Sequence, residues 1–120
     1  MKRVLVADDK ATSRELVRTV LEKDGYSVVE AADGIEALRS ARESTPDLII
    51  LDLQMPGLDG FALVQELRKG EQFSAVPILA LTASAMHGDR ERAISLGFTS
   101  YVTKPIRLAM LRKEVERLLR

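Results

Sequence analysis

The sequence lacks cysteine altogether, which excludes disulfide bonds, thiolate nucleophiles and cysteine-ligated metals. It has a single histidine, so any metal site must use oxygen ligands, which suit Mg²⁺, Ca²⁺ or Mn²⁺. Neither sign of charge is in excess, because 18 lysine and arginine residues balance 18 aspartate and glutamate residues. That balance argues against direct binding to nucleic acid or to a membrane surface, since such proteins typically show a basic excess.

Long apolar segments are missing as well. No run approaches the ~20 apolar residues that a membrane-spanning helix needs. The first nine residues, MKRVLVADD, end in two acidic residues and do not have the pattern of a signal peptide. We therefore expect a cytoplasmic protein. A length of 120 residues suits one domain, so we expect a single domain over residues 1–120.

Five short runs rich in Val, Leu and Ile stand out in the sequence. They are mostly continuous rather than alternating, which is typical of strands buried on both faces of a parallel sheet. The predicted strands are Val4–Ala7, Ser27–Val29, Leu48–Leu51, Ile78–Leu81 and Ser100–Val102.

Amphipathic stretches separate these runs and predict five helices, each with one apolar face. The order predicts an α/β protein in which strand and helix alternate five times, with right-handed crossovers that place helices on both sides of one parallel sheet. Periodicity alone leaves the strand order open. The predicted apolar faces are Leu16, Val17, Val20 and Leu21; Ala37, Leu38 and Ala41 within Ile35–Arg42; Gly60, Leu63, Val64 and Leu67; Met86, Ala93 and Ile94 within Met86–Leu96; and Leu108, Leu111, Val115 and Leu118.

Local signals mark some helix ends. Thr12 and Glu15 have the spacing of a capping box, and Asp59 is a good N-cap for the third helix. Gly25 and Gly97 each follow a helical stretch, where a left-handed residue ends a helix at little cost.

Polar residues follow the predicted strands at the point where each strand ends. In open parallel α/β sheets, ligands bind beyond the carboxyl ends of the strands. Side chains scattered over almost the whole sequence therefore converge on one edge of the sheet. They are Asp8 and Asp9 after the first strand, Asp52 after the third, Thr82 after the fourth, and Thr103, Lys104 and Pro105 after the fifth.

This set of residues suits phosphoryl transfer. Three carboxylates in one small site repel one another, and a divalent cation removes that conflict. Mg²⁺ takes one or two carboxylates and leaves room for a phosphate oxygen. Lys104 and Thr82 add a positive charge and a hydroxyl donor, so Asp52, at the centre, is the predicted nucleophile. Asp9 is then predicted to hold the metal directly and Asp8 through water.

Four segments together resemble the response-regulator receiver domain, the phospho-acceptor half of two-component signalling. They are VLVADD, LIILDLQMPGLDG, ILALTA and YVTKPI, and they occur in the family's order along essentially the whole chain. The resemblance implies a flavodoxin-like three-layer sandwich with five parallel strands in the order 2-1-3-4-5. It implies a signalling module that assists only its own phosphorylation and dephosphorylation and is otherwise no enzyme.

The resemblance also implies roles for individual residues. Asp52 is the implied phosphorylation site. Mg²⁺ is implied to bind Asp9, Asp52 and the backbone carbonyl of Gln54, with Asp8 helping. Thr82 and Lys104 are implied to bind the phosphoryl oxygens. The peptide bond between Lys104 and Pro105 is implied to be cis, and Ala83 is the small residue that leaves the phosphoryl group accessible.

A switch and a set of partners follow from the same resemblance. Thr82 moves toward the phosphoryl group, Tyr101 turns inward, and the face made by the fourth helix, fifth strand and fifth helix changes shape. The phosphoryl donor is a sensor histidine kinase or a histidine phosphotransfer protein, and a downstream protein reads the changed face. The molecule is a monomer or a phosphorylation-dependent dimer. The stretch LTASAMHGDRERAISLGFTSYVTKPI resembles receivers of hybrid kinases, phosphorelays and single-domain regulators, and we expect no output domain.

Three alternatives remain open from the residues alone. A flavodoxin-like nucleotide binder needs phosphate-cradling donors after the first strand, where this chain has Asp8 and Asp9. A metal-dependent phosphatase with an aspartyl nucleophile usually has a second acid two residues after that nucleophile, where this chain has Gln54. A receiver-like interaction module that no longer takes phosphate is disfavoured by the complete set of acids and Lys104.

Overall fold

The computed structural model describes residues 1–55, 57, 59–83 and 89–120, which form a five-stranded parallel sheet with helices on both faces. No helix in these ranges has both the length and the apolar character needed to cross a membrane. The strands are β1 (Arg3–Ala7), β2 (Ser27–Ala31), β3 (Leu48–Asp52), β4 (Ile78–Thr82) and β5 (Ser100–Thr103). The helices are α1 (Ala11–Lys23), α2 (Gly34–Ser44), α3 (Gly60–Arg68), α4 (Asp89–Leu96) and α5 (Leu108–Leu118), with a short 3₁₀ turn at Glu71–Phe73.

The sheet has the order β2-β1-β3-β4-β5, so the strand order implied by the family resemblance is confirmed. All four pairings are parallel. Asp52 pairs with Leu81 and Thr82 pairs with Thr103, so the last residues of β3, β4 and β5 lie within one residue of the same level of the sheet. This register brings the polar residues at the strand ends to one edge.

Two apolar cores lie on the two faces of the sheet. Alternate residues of each strand point to opposite faces, so Leu5 and Ile49 enter one core while Val4 and Ile50 enter the other. The first core is closed by α2, α3 and α4, and the second by α1 and α5. Strands β1, β3 and β4 are almost wholly buried, as their continuous apolar runs predicted.

Two residues of the predicted apolar faces are exposed. Leu16 and Ile94 keep 45% and 44% of their surface accessible. Each precedes or follows a fully buried neighbour, Val17 or Ala93, and adjacent helical residues point about 100° apart. Only the inner residue of each pair therefore faces the sheet. Met86, also assigned to the α4 face, lies outside the described residues.

The predicted capping box at Thr12 is wrong. Helix α1 begins at Ala11 with Lys10 as its N-cap, and that cap makes no side-chain hydrogen bond. The cause is the preceding turn, in which the backbone N–H of Lys10 donates to Asp8 Oδ1 at 2.9 Å and starts the helix early. The other signals are confirmed. Asp59 caps α3 by accepting from the N–H of Ala62, and Gly25 and Gly97 have φ angles of 95° and 120°.

The start of α3 lies against the segment that follows Asp52. A Cβ atom on Gly60 would lie 2.7 Å from Leu53 Cα and 2.9 Å from the Asp52 carbonyl oxygen. Only glycine permits this approach, and its N–H donates to the Leu53 carbonyl at 3.3 Å. Helix α3 therefore holds the backbone of Leu53, the residue directly after Asp52.

Candidate functional site

The carboxyl edge of the sheet brings together the polar residues singled out from the sequence. Asp52 and Thr82 are the last residues of β3 and β4, Asp8 follows β1 directly, and Lys104 follows β5 directly. Asp8, Asp52 and Thr82 are also the polar or charged residues that the described part of the chain buries, at 1%, 3% and 2% exposure. Burial of such groups is costly, so a site with several of them is a candidate for function.

One lysine links two of the buried acids. Lys104 Nζ lies 3.0 Å from Asp52 Oδ2 and 3.1 Å from Asp8 Oδ2, and its side chain is 16% exposed. The backbone N–H of Lys104 donates to the Thr82 carbonyl oxygen at 2.6 Å, which fixes the start of the lysine side chain at the end of β4. The peptide bond between Lys104 and Pro105 is cis, as the resemblance implied.

The pKa of Lys104 is raised although the side chain is partly buried. Burial by itself lowers the pKa of the ammonium group, because it disfavours the charged form. The hydrogen bonds and negative charges of Asp52 and Asp8 together outweigh burial and raise this pKa above its ordinary value. Lys104 is therefore a cation at neutral pH, placed between two acids.

The second oxygen of each buried acid is held by its own loop. Asp52 Oδ1 accepts the backbone N–H of Gln54 at 3.0 Å, and Asp8 Oδ1 accepts that of Lys10 at 2.9 Å. Both carboxylates are thus oriented by one backbone donor and one ammonium group. Such local side-chain to backbone hydrogen bonds are the typical use of aspartate in turns.

The same edge offers a set of oxygen ligands for a divalent cation. Asp8, Asp9 and Asp52 each present a carboxylate oxygen, and these three atoms lie within 4.8 Å of one another. Opposite ligands of an octahedral Mg²⁺ ion are about 4 Å apart, so small shifts bring the three oxygens into range. Three carboxylates and one ammonium leave a charge of −3 + 1 = −2, which a divalent cation neutralises. The donor set therefore fits Mg²⁺.

Two further predictions concern Gln54 and Tyr101. The backbone N–H of Gln54 contacts Asp52, which places this residue beside the site, while a metal-ligating role for its carbonyl stays a prediction. Tyr101 is half-buried on β5 and packs against the core formed with α2, α3 and α4. Its inward movement, and the movement of Thr82, stay predictions as well.

Two residues that support the site, Arg14 and Glu30, were not predicted from the sequence. Arg14 Nη1 donates to the backbone carbonyl of Asp8 at 2.8 Å, and its Nε donates to Glu30 Oε1 at 3.1 Å. Glu30 lies near the end of β2 and also accepts from Arg18. The available signals were a charged residue directly after the predicted second strand and an arginine one turn into α1. The spacing of these two residues in the sequence does not show that their side chains are in contact.

Glu30 is held ionised by its partners. The hydrogen bond from Arg18 is the main cause of its lowered pKa; burial opposes this shift, and Arg14 adds to it. This pKa shift makes the stability of the fold depend on pH, because the ionised form is favoured in the folded state.

We expect Glu30→Gln to lower the free energy of unfolding by about 1 kcal/mol at neutral pH, since two ion pairs become weaker hydrogen bonds. The folded pKa lies below the unfolded value of about 4.3, so the stabilisation is complete above that value. It is lost as the pH falls through the folded pKa. Urea unfolding of both proteins at neutral pH and at about pH 3 measures this difference. A difference that persists unchanged in acid contradicts the assignment.

The sequence matches the family model described as the response regulator receiver domain over residues 4–116. The probable transcriptional regulator ycf27 of Guillardia theta is 42% identical over 119 residues, which are 99% of this chain and 46% of that protein. This chain therefore spans less than half the length of that relative.

Two solved structures share the same fold over almost their full lengths. The chemotaxis protein CheY4 of Vibrio cholerae superposes with a TM-score of 0.94 at 36% identity and covers 99% of both chains. The receiver domain of the sensor histidine kinase PA1611 from Pseudomonas aeruginosa PAO1 gives a TM-score of 0.90 at 36% identity, with coverage of 98% of this chain and 97% of that one. That structure holds a magnesium ion coordinated in its active site cleft. With its fold, its acidic edge and this match over almost its whole length, the chain belongs to the response regulator receiver domain family.

Proposed function

We propose that residues 1–120 act as one receiver domain that takes a phosphoryl group onto Asp52 in the presence of Mg²⁺. The observation that supports this most strongly is the buried Asp52 carboxylate, which shares the Lys104 ammonium group with Asp8 at 3.0 and 3.1 Å. The carboxylates of Asp8 and Asp9 lie within metal-binding reach of it.

In this proposal an Asp52 oxygen forms a bond to phosphorus while the bond from phosphorus to the donor breaks. With a phosphohistidine donor, the imidazole nitrogen leaves and takes up a proton. Lys104 stays positively charged because its pKa is raised, and it neutralises an oxygen of the transferred group. The Thr82 hydroxyl donates to a second oxygen. Asp8, Asp9, Asp52 and the carbonyl of Gln54 would hold Mg²⁺. When bound, this ion supplies further neutralisation of the phosphoryl charge.

The consequence of phosphorylation is proposed at the face formed by α4, β5 and α5. A phosphoryl group that draws Thr82 toward it leaves space that Tyr101 fills, and the two positions of Tyr101 give two shapes of this face. A groove on this face includes Tyr101, Arg107 and Glu114 among its lining residues. We propose that a sensor histidine kinase or a histidine phosphotransfer protein supplies the phosphoryl group. A downstream protein reads the α4–β5–α5 face, and the domain is a monomer or dimerises when phosphorylated.

The test is incubation with acetyl phosphate, a small phospho-donor, with Mg²⁺ or with a chelator, followed by intact-mass analysis. We expect one added phosphoryl group with Mg²⁺ and almost none with the chelator, because uncompensated negative charge at the site repels the donor. No adduct in either condition contradicts the proposal. Sustained turnover of a general phosphomonoester indicates instead a metal-dependent phosphatase with an aspartyl nucleophile.

A further inference from the structure

Arg14 connects the loop that carries two proposed metal ligands to the neighbouring strand β2. Its Nη1 donates to the Asp8 carbonyl oxygen at 2.8 Å and its Nε donates to Glu30 Oε1 at 3.1 Å. The Arg14 side chain is 17% exposed. A planar guanidinium group can make both bonds at once in fixed directions, which an ammonium group cannot do.

The carbonyl that Arg14 contacts belongs to the peptide group between Asp8 and Asp9. Because a peptide group is planar, holding its oxygen also fixes the direction of the Asp9 N–H and therefore the start of the Asp9 side chain. On the other side, the Asp8 N–H donates to the Ala31 carbonyl at 3.1 Å. The backbone of Asp8 is thus held on both sides, by β2 and by Arg14.

Asp9 depends on this support more than its neighbour does. The Asp8 side chain is 1% exposed and is itself held by Lys10 N and Lys104 Nζ, whereas Asp9 is exposed. Within the described ranges no hydrogen bond or ion pair holds the Asp9 carboxylate. The orientation of its backbone is therefore the main constraint on where this carboxylate points.

Glu30 in turn fixes Arg14. It accepts from Arg14 at 3.1 Å and from Arg18 at 2.6 Å, and its side chain is 22% exposed. Arg18 also pairs with Glu22, and it makes no contact with Asp8. Arg14 and Arg18 therefore share one acidic partner. Of these two arginines, only Arg14 contacts the loop that carries the proposed ligands.

We propose that Arg14 is a positioning residue for the metal-binding half of the site, holding the Asp8–Asp9 peptide so that Asp9 faces the cation. This proposal rests on the proposed function, because it assumes that Mg²⁺ binds there. Groups that orient metal ligands typically contribute tenfold or more to metal affinity.

The sign of the expected effect separates positioning from simple charge. Arg14 is positive, so its field by itself opposes the approach of Mg²⁺. If Arg14 acted only through its charge, its removal would strengthen Mg²⁺ binding. A positioning role predicts the opposite, since the gain in attraction is outweighed by the lost orientation of Asp9.

The experiment compares Mg²⁺ titrations of the wild type, Arg14→Met and Arg18→Met, followed by the amide signal of Asp9 in isotope-labelled protein. We expect Mg²⁺ binding about tenfold weaker for Arg14→Met and changed by less than about twofold for Arg18→Met. Both variants lose one positive charge and one Glu30 partner. Arg18→Met also loses the exposed pair with Glu22, whereas only Arg14→Met loses the contact to Asp8. Binding by Arg14→Met within about twofold of the wild type, or an equal loss in both variants, overturns the proposal.

A folded state of each variant is verified by its thermal transition. If Arg14→Met does not fold, the Arg14→Lys variant is used in its place. Lysine keeps the positive charge but lacks the planar guanidinium group that makes both hydrogen bonds at once. For Arg14→Lys we expect Mg²⁺ binding about fivefold weaker, and wild-type affinity contradicts positioning. If the wild type itself neither binds Mg²⁺ nor takes a phosphoryl group, the proposed function fails and this inference fails with it. If the wild type binds Mg²⁺ and the variants bind it with the same affinity, only the proposed role of Arg14 is contradicted.

Discussion

The Asp52→Asn variant is expected to gain no phosphoryl mass from acetyl phosphate under conditions that fully modify the wild type. An amide oxygen is a poor nucleophile, and the substitution also removes one of the three candidate metal ligands. The fold should persist, because the amide has the shape of the carboxylate and its oxygen can still accept from Lys104 or from the Gln54 N–H. Intact-mass analysis measures the adduct, and the thermal transition confirms folding.

Asp59→Asn is the matched control for this substitution. Asp59 is an exposed aspartate seven positions further along, where it caps α3 by accepting from the Ala62 N–H. Asparagine is an equally good N-cap, so this variant keeps its stability and should be modified like the wild type. An adduct of full size on Asp52→Asn would place the phosphoryl group elsewhere. Loss of the adduct in both variants would show that the loss is not specific to Asp52.

The second large effect is expected at the opposite end of the strands, for Arg68→Met. Arg68 is the last residue of α3 and donates to the backbone carbonyls of Phe73, Val76 and Gly97. It also donates to Thr99 Oγ1, which accepts in turn from the Ile78 N–H. Burial lowers the pKa of this guanidinium group, and no carboxylate in the described ranges pairs with it. One side chain thus joins α3, the segment before β4 and the turn before β5.

Methionine keeps most of the stem of Arg68 but none of its donors. We expect the free energy of unfolding to fall by about 3 kcal/mol, because hydrogen bonds from a charged donor are worth about 1.5–3 kcal/mol each and part of the loss is recovered by water. The melting temperature should fall by about 10 °C for a domain of this size. Urea unfolding measures the first quantity and calorimetry the second.

Lys69→Met provides the control at the neighbouring position. Lys69 is exposed, and within the described ranges it pairs only with Glu66 one turn back, so its loss should change stability by less than about 1 kcal/mol. Both variants lose one positive charge at the end of the same helix. Equal effects of the two substitutions would show that charge, and not the carbonyl contacts, explains the loss. Since Arg68 lies far from the carboxyl edge, Arg68→Met that remains folded should still take a phosphoryl group.

Much of the fold could be predicted because its signals are local. The continuous apolar runs predict buried parallel strands wherever both faces of a sheet are covered, and β1, β3 and β4 confirm this. The N-cap at Asp59 and the left-handed conformations of Gly25 and Gly97 could also be predicted, since each depends on a few neighbouring residues. The strand order came only from the family resemblance, because periodicity does not tell which strands are neighbours.

The local predictions that failed did so for two different reasons, a competing local turn and the placement of a helix against the sheet. Thr12 has the spacing of a cap, but Asp8 accepts from Lys10 and starts α1 before Thr12. Leu16 and Ile94 are apolar, yet the sheet covers only the residues beside them. The exposure of Leu16 and Ile94 depends on where each helix lies against the sheet, which the periodicity of the sequence leaves undetermined by about one residue.

By itself, the sequence determined which residues the candidate site contains. Strands of a parallel sheet end at one edge, so polar residues such as Asp52 and Thr82 that follow apolar runs must meet there. Only the tertiary structure decided how they meet. Lys104 and Asp8 are 96 positions apart, and their contact, like that of Arg14 with the Asp8 carbonyl, depends on the register of neighbouring strands and the placement of α1. Those distances are set by packing across the whole sheet, and no local stretch of sequence encodes them.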